Sequence, residues 1–130
     1  MIVFDTSTLV GAAIRRGSVP DRAMRRAFAS DRVAASDATM AELLDVFARP
    51  RLARFLDAEV RDEVLALLDE FAVFFEPTEA VSDCRDPKDD KVLELALASG
   101  AERIVSSDAD LLVLHPWRGV RVLRPADYLA

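Results

Sequence analysis

Short apolar runs alternate along this chain with longer stretches whose hydrophobic positions recur every three or four residues. Ile2-Val3-Phe4 ends abruptly in Asp5 and reads as a buried strand. Val33-Ala34-Ala35, Val73-Phe74-Phe75, Arg103-Ile104-Val105-Ser106 and Val120-Arg121-Val122-Leu123 read the same way. Between them, Leu9 to Ile14 and Pro20 to Phe28 have helical character. Met40, Leu43, Leu44 and Phe47 make an i, i+3, i+4, i+7 stripe behind a Ser36-Asp37 cap, and Pro50 ends that helix. Asp57 opens another, with Val60, Val64, Leu67, Leu68 and Phe71 as its apolar face. A helix from Pro87 to about Ser99 stops at Gly100. Leu111 to Leu114 is a short helix or turn, and Pro125 to Leu129 a short tail. Strands alternating with helices over the whole length predict a mostly parallel sheet of four or five strands, covered on both faces.

Composition narrows the chemistry. The 130 residues suit one domain; 52% are hydrophobic and 31% charged, a globular balance. The net charge of −6 argues against a surface that grips nucleic acid by bulk positive charge, although a bound cation would reverse the local field. A single cysteine, Cys84, excludes an internal disulfide and a cysteine zinc cage; a single histidine, His115, excludes a His pair and disfavours a Ser-His-Asp triad. No stretch reads as a signal peptide or membrane span, so a cytoplasmic location is the expectation.

In an open parallel sheet a site lies beyond the carboxyl ends of the strands, and acids follow the predicted strands at that end. Asp5 follows the first; Asp37 and then Glu42 follow the second; Asp83-Cys84-Arg85-Asp86-Pro87-Lys88-Asp89-Asp90 follows the third; Asp108-Ala109-Asp110 follows the fourth. Carboxylates held together repel one another unless a cation binds. Hard oxygen donors with no His or Cys set point to Mg²⁺ or Mn²⁺, which suits phosphoryl chemistry.

Several of these acids have a purely structural reading. Asp86, with Pro87 behind it, is a good helix cap, Asp37 reads as a cap, and Asp110 suits a cap before Leu111. Thr39-Met40-Ala41-Glu42 matches a capping box, and Glu42 sits beside its helix's apolar stripe. Steps of three and four back from Val92, Leu93, Ala96 and Leu97 reach both Asp89 and Asp90. Asp89 is the more easily absorbed into the cap, so Asp90 is the better ligand candidate. Ser7 and Ser106 stand beside Asp5 and Asp108 as supporting hydroxyls.

Val3-Phe4-Asp5-Thr6-Ser7, Glu42 in Ala41-Glu42-Leu43-Leu44, Arg85-Asp86-Pro87-Lys88-Asp89-Asp90-Lys91 with Leu95-Ala96-Leu97-Ala98, and Ile104-Val105-Ser106-Ser107-Asp108-Ala109-Asp110-Leu111 together resemble a PIN domain. Within that family they are similar to the toxin components of toxin–antitoxin systems related to the VapC ribonucleases. The resemblance covers nearly the whole chain. It implies a three-layer α/β/α fold and a cluster of acids binding Mg²⁺ or Mn²⁺. The matching positions are Asp5, Glu42, Asp90 and Asp108, with Asp110 a further ligand, while Asp89 also fits the third acid with a one-residue shift. The implied reaction is metal-dependent hydrolysis of RNA; an antitoxin partner and a homodimer are implied too. Leu43, Phe47, Phe55 and Leu56 would supply apolar contact.

Of the 17 basic residues 15 are arginine, which suits phosphate recognition, and Arg15-Arg16, Arg22, Arg25-Arg26, Arg49, Arg51 and Arg54 would flank a groove, although solvated surface accounts for more than half of them. Trp117 reads as a loop residue packed into the core. Two rival enzyme readings fare worse. A haloacid-dehalogenase-type phosphohydrolase pairs its first Asp with another two residues on, where this chain has Ser7; a receiver domain requires paired acids near the first strand. The non-enzyme alternative is a binding module that keeps the fold and only docks a partner.

Overall fold

The computed structural model describes residues 1–130. Five short strands, β1 (Ile2–Phe4), β2 (Val33–Ala35), β3 (Val73–Phe74), β4 (Arg103–Val105) and β5 (Arg121–Leu123), form one sheet in the order β3-β2-β1-β4-β5. Every pairing is parallel, with Ile2 opposite Val33, Val3 opposite Ile104, Ile104 opposite Val122 and Ala35 opposite Phe74. β1 and β2 are buried along their whole length, as unbroken apolar runs require in a sheet covered on both sides.

Alternate side chains divide between two cores. Ile2, Phe4, Val33 and Val105 face one layer, built from α1 (Thr6–Ile14), α2 (Val19–Ser30), α3 (Asp37–Phe47), α5 (Ala58–Phe71) and α8 (Pro125–Leu129). Val3, Ala34, Ile104 and Val122 face the other, where α6 (Asp90–Ser99) contributes Val92, Leu93, Leu95 and Ala96, and Leu111 of α7 (Ala109–Leu112) and Trp117 complete the cluster. Three layers result. β1 is central, and the chain leaves β2 and β4 in opposite directions from it, so the switch point lies at the carboxyl ends of β1 and β4.

The helices depart from the expected reading in four places. Pro50 does not merely end α3; it occupies the first turn of a separate one-turn helix, α4 (Pro50–Ala53), where its missing N–H costs nothing. The tail is a helix, α8. Phe71 shares the phase of Val60, Val64 and Leu68 but, as the last residue of α5, is 57% exposed. Leu43 and Phe47 are core residues, so of the apolar side chains expected to meet a partner only Phe55 stands well out of the surface, with Leu56 half-buried. Gly100 takes the left-handed conformation (φ 65°) that ends α6.

Candidate metal centre

Asp5 is the N-cap residue of α1, directly after β1, and is only 2% exposed. It makes no side-chain cap bond. Its Oδ2 instead accepts hydrogen bonds from Ser7 Oγ (2.7 Å) and Ser106 Oγ (2.8 Å). Burial pushes its pKa up; the two hydroxyls counteract that, and the charges of Asp108 and Glu42 add to it. Ser106, fully buried after β4, also accepts from the Asp108 backbone N–H at 2.9 Å. One hydroxyl thus ties the ends of two adjacent strands together. Asp108 caps α7, accepting from Asp110 N at 2.8 Å.

The third acid on the hollow is Asp89. Pro87–Asp89 form a single 3₁₀ turn ahead of α6, capped by Asp86, whose Oδ1 accepts from Lys88 N at 3.1 Å. Asp89 is 8% exposed, and its Oδ2 is buried with no hydrogen-bond partner. Its neighbours are themselves acceptors. Burial first, then the adjacent Asp108 carboxyl and the charges of Asp5, Asp108 and Asp86, push Asp89 up to about 7. Asp90, by contrast, turns to the preceding loop, where its Oδ1 accepts from Cys84 N at 2.9 Å, and it does not line the hollow. Of the two neighbours that the sequence offers for the third acid, Asp89, at the end of the 3₁₀ turn, lines the hollow, whereas Asp90, the first residue of α6, is held by the loop before it.

Asp5, Glu42, Asp86, Asp89 and Asp108 all line one hollow of about 370 Å³, together with Ser7, Lys88 and Arg49. Asp110 stands at its edge. One carboxylate oxygen each from Asp86, Asp89 and Asp110 lies within 4.8 Å of the others, and Arg85 pairs with Asp110 at 2.9 Å. Glu42 is not a capping residue. Ser36 caps α3 and Thr39 closes a reciprocal capping box with it, which leaves Asp37 inside the first turn rather than at the cap. Glu42 therefore falls one turn further in, where its Oε2 pairs with Lys91 of α6.

Lys91 was not singled out by sequence reasoning. Its signal is a lysine held half-buried between Asp90 and the apolar Val92. Arg16 and Arg25 pair with Glu63, and Arg26 donates to the Leu129 carbonyl, so these three arginines serve the fold. Trp117 is buried, its indole N–H donating to Asp83 at 2.9 Å. His115 accepts from Val122 N through Nδ1.

The acid end of the hollow, walled by hard oxygen donors with one buried carboxylate oxygen left unpartnered, fits a divalent cation. The PIN domain family model matches residues 1–110, and the chain belongs to that family. PIN domains are generally metal-dependent nucleases and act on nucleic acid. The sheet and its flanking helices are those of a PIN-like fold, with β5 and α8 lying beyond the matched residues. Among curated proteins, none matches the chain. No helix is long and apolar enough to cross a membrane.

Proposed function

We propose that the chain, as one PIN unit over residues 1–130, is a Mg²⁺- or Mn²⁺-dependent endoribonuclease, the VapC-like toxin component of a type II toxin–antitoxin system acting in the cytoplasm. The observation that carries the reading is the buried, unpartnered Asp89 Oδ2 beside the Asp5 and Asp108 carboxylates in one hollow. Asp5, Asp89 and Asp108 would hold the cation, with Glu42 completing the set and Asp86 and Asp110 at its outer side. When bound, such an ion neutralises phosphate charge and lowers the pKa of water.

The chain's own residues do the rest. Ser7 and Ser106 fix Asp5 through one oxygen and leave Oδ1 without a protein donor. Ser106 also fixes where the Asp108 backbone begins its turn, so the two carboxylates keep a constant separation. Lys91 holds Glu42 through Oε2; the other carboxylate oxygen is left to orient an attacking water in line with the leaving oxygen. No side chain need form a covalent intermediate. The phosphohydrolase alternative requires Asp5 as nucleophile with a second acid two residues on, and that place is taken by Ser7, which donates to Asp5.

A cognate antitoxin and a homodimer are part of the same reading, with exposed Leu44 and Phe55 as available apolar contacts. The test is incubation of the protein with structured and unstructured RNAs and, separately, with a small phosphomonoester. Nucleotide fragments that appear only with Mg²⁺ or Mn²⁺, without phosphomonoester turnover, are the expected result; phosphomonoester turnover alone would overturn it.

A further inference from the structure

The hollow does not end at the acids. Ser7, Val10 and Gly11, and Ile14 line it from α1, at positions i, i+3, i+4 and i+7. Glu42 and Val46 line it from α3, one turn apart, and Arg49, in the extended link between α3 and α4, lines it beyond them. Seven residues of helix rise about 10 Å. The hollow therefore continues as a groove that starts at Asp5 and Glu42 and runs about that far along α1, with Ile14 and, just past the end of α3, Arg49 lining it there. Its floor carries no side-chain donor or acceptor between Ser7 and Arg49. Ile14 is exposed there, and a Cβ at Gly11 would stand 3.3 Å from Cγ of Pro20. The guanidinium of Arg49 is paired only with Asp45, at 3.1 Å, in an i, i+4 contact exposed on both sides. Such a pair contributes little and is readily exchanged for a phosphate.

We infer that the groove between α1 and α3 is a binding subsite for a single nucleic-acid strand, in which Arg49 anchors a phosphate other than the reacting one while sugar and base lie on the Val10–Ile14–Val46 floor. The inference rests on the nuclease reading for what occupies the acid end. It adds a consequence. With no hydrogen-bonding side chain on the floor, the subsite holds the strand by charge and apolar contact and accepts any base. A base preference of the enzyme must then be set elsewhere.

The experiment measures equilibrium binding of fluorescein-labelled single-stranded RNA homopolymers to the cleavage-blocked Asp108→Asn protein, with and without Arg49→Gln, in Mg²⁺ over a series of salt concentrations. Arg49 is exposed, and circular dichroism checks that the second substitution leaves the fold intact. The expected result is affinity for all four homopolymers within a few-fold of one another. Arg49→Gln should weaken all of them alike by about tenfold, as loss of one charged hydrogen bond does, and lower the slope of log K against log salt by about 0.7. An unchanged slope and affinity, or no binding of single strands at all, overturns the subsite. A strong preference for one homopolymer that Val46→Ala or Ile14→Ala removes overturns the base-neutral floor. Failure of the wild-type protein to cleave any RNA while Arg49-dependent binding persists would overturn the nuclease reading and leave the groove standing.

Discussion

A carboxylate in a crowd of carboxylates is a liability unless something positive joins it, and Asp89 is where that cost concentrates. Its pKa is raised from 3.8 to about 7. An acid that is easier to protonate when folded binds more protons in the folded state between those values. Stability of the metal-free protein should therefore be full below about pH 4 on this group's account, and should decline as pH rises toward about 7. Divalent metal offsets the repulsion only when the acids are ionised. Thermal denaturation should thus show a larger Mg²⁺- or Mn²⁺-induced rise in Tm at about pH 8 than at about pH 5; equal shifts would argue that the ion binds elsewhere. Substitution separates the adjacent acids. Asp89→Asn should abolish the Tm shift and lower RNA cleavage more than about 100-fold, as Asp5→Asn and Asp108→Asn should, each without unfolding. Asp90→Asn should instead cost about 1–3 kcal/mol through its bond to Cys84 N, read by denaturant titration, while the remaining folded protein still cleaves.

At the level of elements, the centre is an arrangement of helix beginnings. α1 and α7 start at Asp5 and Asp108, after neighbouring strands, and the turn leading into α6 starts at Asp86. Crossing the sheet between β3 and β4 brings α6 to the face opposite α1, so the acids converge from both layers. Lys91 and Glu42 join α6 to α3 across that junction. Lys91→Met should leave the apolar packing of α6 intact yet free Glu42 to move. The expected outcome is a drop in RNA cleavage of about tenfold with metal-induced stabilisation retained; cleavage kinetics and Tm on the same preparation check it. The acids at strand ends were legible in the sequence because a polar residue straight after a buried run has few structural uses. Asp89 against Asp90 was not, because both extend the buried face of α6 and a tertiary contact, the bond from Cys84 N to Asp90, decides which of them is free to line the hollow. Glu42 looked like a capping acid only because the real box, Ser36 with Thr39, begins three residues earlier.

For the molecule as a whole, the last helix closes the first core. Tyr128 packs edge-on against Phe4 of β1, and its hydroxyl donates to Asp31 Oδ2 at 2.6 Å; Arg103 of β4 pairs with the other Asp31 oxygen at 3.0 Å. Burial, and the bond to Asp31, push the phenol up to about 12. This contribution to stability is present below the ordinary value of 10 and is lost as pH rises through about 12. Tyr128→Phe should lower stability at neutral pH by about 1–2 kcal/mol, measured as a reduced denaturation midpoint with an unchanged m-value.

Hydrophobic periodicity by itself determined that strands and helices alternate and that the sheet is parallel, since only parallel strands need a crossover after each one and burial on both faces. It also set the acids at one edge, because a strand's carboxyl end is fixed by chain direction. Which oxygen of which acid enters the hollow, which cations sit beside it, and how far the groove extends were decided only when helices from both faces of the sheet packed together. Those outcomes depend on contacts between residues as distant as Glu42 and Lys91 or Asp5 and Ser106, and no local pattern encodes where such partners meet.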